Sequence, residues 1–394
     1  MVSGPSKATG AALHLVPVSG KTTWLFLELR AGPESFGWGE VTDFGNENAM
    51  AAEVRALDAR LQDKAADSLP AILEHLSGRQ VSQAKRILRS GVEQAWLDGA
   101  ARGAGVTMAQ SLGGPYRTGI PVYANINRGI ARDRRPEDFA DQARVALLDG
   151  YRAIKIAPFD GVDWRQGPRG RQSDLRNRGI ARIEAVREAI GPDTDLMIDC
   201  HSRFDMATAL CVLDAIAPLS PFWVEDVLAP EDAAADHRAL RSAAHRHGIR
   251  VAGGEEVEDL PGLLAFIDVG GTDVVLPDLR LTGIRHGMAM CELAAAKGQL
   301  VSLHNPVGPV LDAVSRHVAA ALPDFLILER PVRESPVWEK LNPQGASLVD
   351  GCAVFGPHPG LGLALASEHL AGAEALSGLP VTSFRGMPGA GPDA

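Results

Sequence analysis

Leu196-Met197-Ile198-Asp199-Cys200-His201-Ser202-Arg203-Phe204 is a short apolar run that ends in an acid and a histidine. Such a run reads as a buried strand that delivers chemistry at its end. Side chains alternate along a strand, so Asp199 and His201 share one face while Cys200 points the other way. Five further runs end alike: Pro221 to Asp226 delivers Glu225, Arg250 to Glu256 delivers Glu255, Val274 to Leu279 delivers Asp278, Leu300 to Asn305 delivers His304, and Phe325 to Arg330 delivers Glu329. The delivered residues follow one another at steps of 26, 30, 23, 26 and 25 (225−199, 255−225, 278−255, 304−278, 329−304). One strand, one helix and two loops take about that much chain, since a barrel of eight such units runs to roughly 250 residues. The period therefore predicts a parallel α/β barrel, whose strands all end at one rim, where residues distant in sequence converge.

Working outward, Ala153 to Ala157 is the preceding strand and carries Lys155, and Ile120 to Asn127 is the first, with Asn125 and Asn127 near its end as candidate substrate-binding residues. Between Lys155 and Asp199 the step is 44 (199−155), so roughly 15 to 20 residues are inserted after the second strand. The insertion, Pro158 to Arg178, holds Arg165, Arg169, Arg171, Arg176 and Arg178. It is either a solvated or subunit-contact loop or a lid that grips an anionic substrate. Upstream, Ala12 to Val18, Thr22 to Arg30 and Gly37 to Val41 read as an antiparallel meander, and residues 46–105 show helical spacing. The chain of 394 residues thus divides into an α+β unit over 1–115, the barrel over 116–330, and a C-terminal return with a disordered tail over 331–394.

A net charge of −10 argues against nucleic acid as a partner. Cys200, Cys211, Cys291 and Cys352 are far apart without a Cys-x-x-Cys spacing, which fits reduced thiols, each a small core residue. Met1 to Gly20 lacks the pattern of a signal peptide, and no 18-residue apolar stretch follows, so a cytoplasmic protein without membrane partners is expected.

Asp199, Glu225 and Glu255 close three consecutive strands and make an all-oxygen site. Hard oxygen donors select magnesium, with manganese as a substitute, over zinc or copper. Asp278 and His304 end adjacent strands, where an Asp to His hydrogen bond fixes the imidazole tautomer and raises its basicity. Lys155 stands on the other side, placed to hold a carboxylate and stabilise charge built on it. Metal, lysine and base together are the equipment for abstracting a proton beside a carboxylate.

These residues carry a resemblance. Lys155-Ile156-Ala157, Asp199-Cys200-His201, Glu225, Gly254-Glu255, Pro277-Asp278-Leu279 with Thr282-Gly283-Ile284, and His304-Asn305-Pro306-Val307-Gly308-Pro309 resemble the enolase superfamily, mandelate racemase subgroup. Trp38-Gly39-Glu40, Ala95-Trp96-Leu97-Asp98 and Gly360-Leu361-Gly362 resemble its capping-domain strand, last capping helix and C-terminal return. The resemblance implies a modified TIM barrel, (β/α)₇β, under an N-terminal α+β capping domain, and a Lys or His base working with Mg²⁺. Asp-x-His with His-Asn-Pro-x-Gly-Pro is most similar to acid sugar dehydratases such as galactonate dehydratases. That implies a general-acid role for His201 and, for Glu329, hydrogen bonding to the substrate when protonated. Ala157 departs from the Lys-x-Lys of the racemases, so the usual second base is absent. The expectation is a homo-oligomeric lyase that eliminates water from a small sugar acid, with an epimerase, racemase or cycloisomerase of such an acid as the alternative.

Overall fold

In the computed structural model, residues 7–372 are described apart from 20–21, 32–33, 78–81, 131–132, 167–168, 342–344 and 355. The expected tail, roughly the final 15 residues, therefore lies outside the described residues. The chain opens with β1 (Gly10–Pro17), β2 (Thr23–Ala31) and β3 (Glu34–Glu40), then α1 (Glu47–Asp63), α2 (Leu69–Glu74), α3 (Gln83–Ala104) and the short α4 (Met108–Ser111). A regular alternation follows: β4 (Gly119–Asn125), α5 (Pro136–Leu148), β5 (Ala153–Ile156), α6 (Arg169–Ile190), β6 (Asp195–Asp199), α7 (Met206–Ile216), β7 (Trp223–Glu225) and α8 (Ala234–Arg246). It continues through β8 (Arg250–Gly253), α9 (Leu260–Val269), β9 (Val274–Val275), α10 (Leu279–Ala296), β10 (Leu300–Leu303), α11 (Pro309–Ala321) and β11 (Ile327–Pro331). The C-terminal part adds α12 (Val337–Leu341), β12 (Ser347–Val349), β13 (Cys352–Val354) and β14 (Ala371–Gly372).

Strands β4 to β11 pair in parallel in chain order, and β11 pairs back to β4, so eight strands close a barrel with seven helices between them. Alternation sorts their side chains. Ile154, Ile156, Leu196, Ile198, Val224, Val251, Leu303 and Leu328 point outward into the core shared with the helices. Tyr123, Ala153, Met197, Trp223, Ala252, Val274 and Leu276 point inward and pack on one another as an apolar floor. Two residues further along each strand the same face carries Asn125, Lys155, Asp199 and Glu225, one layer nearer the C-terminal rim.

The N-terminal sheet is antiparallel in the order β14-β1-β2-β3. Both faces of β2 are buried, to different ends: Leu25, Leu27 and Leu29 pack with α1 and α3, while Trp24 and Phe26 join the barrel core. This sheet and its helices cap the barrel. The C-terminal segment returns to it, with Leu361 N–H donating to Asp98 of α3 at 2.8 Å and Ala371 pairing with Leu15. Among the described residues no helix is long and apolar enough to cross a membrane.

Two expectations need correction. Much of the insertion after β5 is the start of α6, so Arg169, Arg171, Arg176 and Arg178 stand on a helix and Arg165 in the loop before it. Leu175 explains why a polar stretch is held there, since it packs on the barrel core. After the barrel, β12 and β13 form a hairpin, and β13 pairs antiparallel to the start of β4. Of the four thiols, Cys200 and Cys291 are buried as expected, but Cys211 is exposed on α7 and Cys352 is half-buried.

Cap and barrel are joined by acids on helix N-termini. Glu40, fully buried at the end of β3, accepts the N–H groups of Gly308 (2.6 Å) and Leu311 (2.8 Å) at the start of α11 and the Thr42 hydroxyl (2.9 Å). Free N–H groups of a first helical turn need such acceptors. Burial nevertheless outweighs these bonds and pushes the Glu40 carboxyl up to about 7. Glu40→Ala strands two buried N–H groups and is expected to cost at least about 2 kcal/mol in urea denaturation. Because the folded-state pKa lies above the ordinary 4.5, Glu40 takes up a proton on folding between pH 4.5 and 7. Its contribution is full below that window and is lost as pH rises through 7. Glu40→Gln should therefore gain on wild type by about 1–3 kcal/mol between pH 5 and pH 8. Parallel pH profiles of the two proteins would contradict the assignment.

Candidate active site

The inward layer above the apolar floor is almost entirely charged. Lys155 on β5 places its Nζ 2.7 Å from Glu225 Oε1 on β7, 3.0 Å from Glu329 Oε1 on β11 and 3.8 Å from Asp199 Oδ2 on β6. All four side chains are buried. Register explains the meeting of Asp199 and Glu225, which are direct partners across β6 and β7. Burial alone would strip the lysine of its proton, but Glu225 and Glu329 outweigh it and hold its pKa well above the usual value.

Glu225 is fixed at both oxygens, Oε1 by Lys155 and Oε2 by the indole N–H of Trp223 at 3.0 Å. Glu329 is held as firmly. It accepts from Asn125 Nδ2 (2.6 Å) and from the Asn305 N–H (3.0 Å). Although burial acts the other way, Lys155, His304 and these bonds hold its carboxyl low. Glu329 thus sits as an acceptor between Lys155, Asn125 and the Asn305 N–H. Asn127 donates to Asn125 Oδ1 at 2.7 Å and accepts the Ala157 N–H at 2.6 Å, so both asparagines brace Glu329 and the end of β5.

The expected histidines are in place. His304 follows β10, and its Nδ1 lies 3.0 Å from Asp278 Oδ2, while Asp278 Oδ1 accepts the Arg280 N–H as N-cap of α10. His304 Nε2 turns to the interior, 3.2 Å from Glu255 and 3.8 Å from Glu329. Burial would depress the imidazole, but Glu255, Asp278 and Glu329 raise it to about 10. His201 Nε2 lies 3.1 Å from Asp199 Oδ2, and the His201 backbone N–H donates to Asp199 Oδ1. Burial favours a protonated Asp199, yet His201 and Lys155 together hold it below the usual carboxylate range.

Two positions depart from strand alternation. β8 ends at Gly253, two residues short of Glu255, and Gly254 at φ 96° turns the chain so that Glu255 comes inward. Asp226 would point outward, but its φ of 43° swings its carboxylate back. Glu225, Asp226 and Glu255 then bring one oxygen each within 4.8 Å of one another. Asp226 was not expected from sequence. Its signal was only its place beside Glu225, and the alternation rule argued against it. Gly253 makes room for it, since a Cβ there would stand 2.7 Å from Asp226 Oδ1.

Carboxylates crowd this rim. Burial, with repulsion from Asp199, Glu329 and Glu255, outweighs Lys155 and pushes Glu225 up to about 7. Burial and the charges of Glu255 and Glu225 raise Asp226 well above an ordinary aspartate. An excess of buried oxygen donors over cations fits a hard divalent ion, which would stabilise their ionised forms. At the edge of the rim, Arg165 stacks on Trp164 and reaches Glu231 at 3.7 Å, which ties the loop after β5 to the loop after β7.

Known proteins share this frame. Residues 138–369 match the family described as Enolase C-terminal domain-like. A D-gluconate dehydratase of Thermoproteus tenax is 32% identical over 256 residues, a match that spans 64% of this chain and 48% of that protein. A D-xylonate dehydratase of Haloferax volcanii is 27% identical over 361 residues, spanning 88% of this chain and 84% of the relative. Among solved structures, a mandelate racemase/muconate lactonizing enzyme from Jannaschia sp. CCS1 superposes with a TM-score of 0.77 at 25% identity, covering 94% of this chain and 97% of the other. With the barrel closed under its cap, the Asp278 to His304 dyad formed and the family match running over more than half of its length, the chain belongs to the enolase superfamily, in the mandelate racemase subgroup.

Proposed function

We propose that the chain is a Mg²⁺-dependent dehydratase that converts a sugar acid to a 2-keto-3-deoxy acid. The observation that carries the reading is the convergence of Lys155, His304 and His201 on one cluster of carboxylates. The named relatives are dehydratases of D-gluconate and D-xylonate, acids that carry one hydroxyl on the α-carbon and another on the β-carbon. A base, an electrophile for the carboxylate and an acid for the leaving hydroxyl are what such an elimination needs.

Asp199, Glu225 and Glu255 are proposed to hold the ion, with Asp226 as a fourth carboxylate in the same cluster. A bound ion supplies Lewis-acid stabilisation of charge on the substrate and offsets Glu255, the strongest attraction that keeps a proton on His304. The rest is done by side chains. Lys155 holds one carboxylate oxygen and stabilises the charge that builds there as the enediolate forms. Asp278 fixes the Nδ1 proton of His304, which leaves Nε2 to take the α-proton. The β carbon–oxygen bond then breaks, His201 gives the departing hydroxyl its proton, and water leaves. The enol that remains ketonises to the 2-keto-3-deoxy acid. Ala157, where the racemases carry a second lysine, removes a competing base from the opposite face.

Two measurements test this. Mg²⁺ at about 100 times its Kd should stabilise the protein by about 2.7 kcal/mol, seen as a raised Tm that a chelator reverses. Glu225→Gln should abolish both that shift and turnover. With a panel of sugar acids in D₂O, His304→Asn should stop α-deuteration and product together, a loss of about 10² to 10⁴ in rate. His201→Asn should lose the 2-keto product and retain deuterium exchange. Wild-type exchange at the α-carbon that yields an epimer and no keto acid would replace the dehydratase with an epimerase.

A further inference from the structure

We infer that Trp223 is a positioning residue for the ion site, through the hydrogen bond from its indole N–H to Glu225. The inference rests on the proposed ion site and concerns a residue that no part of the reaction above uses. Trp223 and Glu225 are two apart on β7, so both point into the barrel, the indole in the floor and the carboxylate directly above it. Neither has any solvent exposure.

The geometry fixes the carboxylate plane. Trp223 Nε1 stands 3.0 Å from Oε2, and Lys155 Nζ stands 2.7 Å from Oε1. One donor on each oxygen stops rotation about the last torsion of a glutamate, which is otherwise broad. Each oxygen of a carboxylate can accept twice, so one acceptor direction on each remains for an ion shared with Asp226 and Glu255. An indole suits the position because it only donates, so it binds the carboxylate and never competes for the ion.

The ring itself cannot drift. It packs edge-on against Tyr123, with centroids 5.5 Å apart at 84°, and tilted by 51° against Phe222, also at 5.5 Å. Tyr123 supplies the internal comparison. Its hydroxyl is buried in the same floor and makes no hydrogen bond to Glu225 or to any other carboxylate of the cluster. If Trp223 only filled space, losing its N–H would matter no more than losing that hydroxyl. If it orients Glu225, the loss should appear in ion affinity, where removing the outer partner of a ligand typically costs about 10- to 100-fold.

The test is calorimetric titration of the full chain with Mg²⁺, and with Mn²⁺ read by its spin resonance, without substrate. Trp223→Phe keeps an aromatic ring in the floor and removes the donor. It should weaken ion binding about 10- to 100-fold with an unchanged circular dichroism spectrum, while Tyr123→Phe binds as wild type. Should the phenylalanine leave the floor too loose to fold, Trp223→3-benzothienylalanine replaces the N–H by sulfur at the same shape and should show the same loss. Wild-type affinity in a folded variant without the N–H overturns the inference, as does an equal loss in Tyr123→Phe. A wild-type chain that binds neither ion overturns the ion site itself and this role with it, an outcome distinct from both.

Discussion

The buried Lys155 ammonium is the constraint on which the rest of the site depends. At 1% exposure it has lost its hydration, and it stands only because Glu225 and Glu329 lie within 3.0 Å of it and Asp199 within 3.8 Å. The dependence runs both ways. Asp199, Glu225, Asp226, Glu255 and Glu329 crowd one rim of the barrel, and without a cation at its centre their mutual repulsion would neutralise several of them. Removing one partner from a buried ion pair typically costs about 3–5 kcal/mol, because the other charge is left uncompensated. A site of this kind is a poor stabilising device, which agrees with its role as a site for chemistry.

The floor beneath makes that crowding possible. Tyr123, Ala153, Met197 and Trp223 occupy the inward positions one pleat below Asn125, Lys155, Asp199 and Glu225. An apolar plug there excludes water from below, so the charged layer meets solvent and substrate from the rim alone. Trp223 belongs to both layers, with its ring in the plug and its N–H on Glu225. Asn125 and Asn127 play a comparable part on the other side by turning the backbone N–H of Ala157 into support for Glu329.

Much of this was legible in the sequence because two periodicities survive folding unchanged. The step of 23 to 30 residues between strand-end acids and histidines is the length of one barrel unit, and it located β6 through β11. Alternation by two then put Lys155, Asp199, Glu225, Asp278, His304 and Glu329 on the inner face. What escaped lies where the backbone leaves those periods. Asp226 comes inward because of a positive φ, which neither composition nor spacing announces in a non-glycine residue. Glu255 was expected at a strand end, and arrives through a turn at Gly254 after β8 has stopped. The arginine-rich stretch was read as a loop because its apolar spacing is sparse. A single anchored leucine, Leu175, together with helix-compatible neighbours carries α6 back to Arg169.

The acids that join cap to barrel were not legible at all, since each acts over a separation of about two hundred residues or more. Their placement links the cap to the chemistry. Asp278 caps the start of α10, His304 stands four residues before the Gly308 cap of α11, and the capping domain grips both helix starts. Ser90 of α3 donates to the Leu279 carbonyl at 2.6 Å, and Glu93 accepts from Ile284 and Arg285 where Gly283 breaks the helix at φ 76°. Glu40 holds Gly308 and Leu311, four and seven residues beyond His304. Arg280 completes the link, with one guanidinium nitrogen 3.3 Å from the Thr42 carbonyl of the cap and another 3.4 Å from Asp278 Oδ2. A shift of the cap relative to the barrel would pull on both helix starts at once. The 3.0 Å contact between Asp278 and His304, backbone partners across the ends of β9 and β10, thus lies between two helix starts that the cap holds.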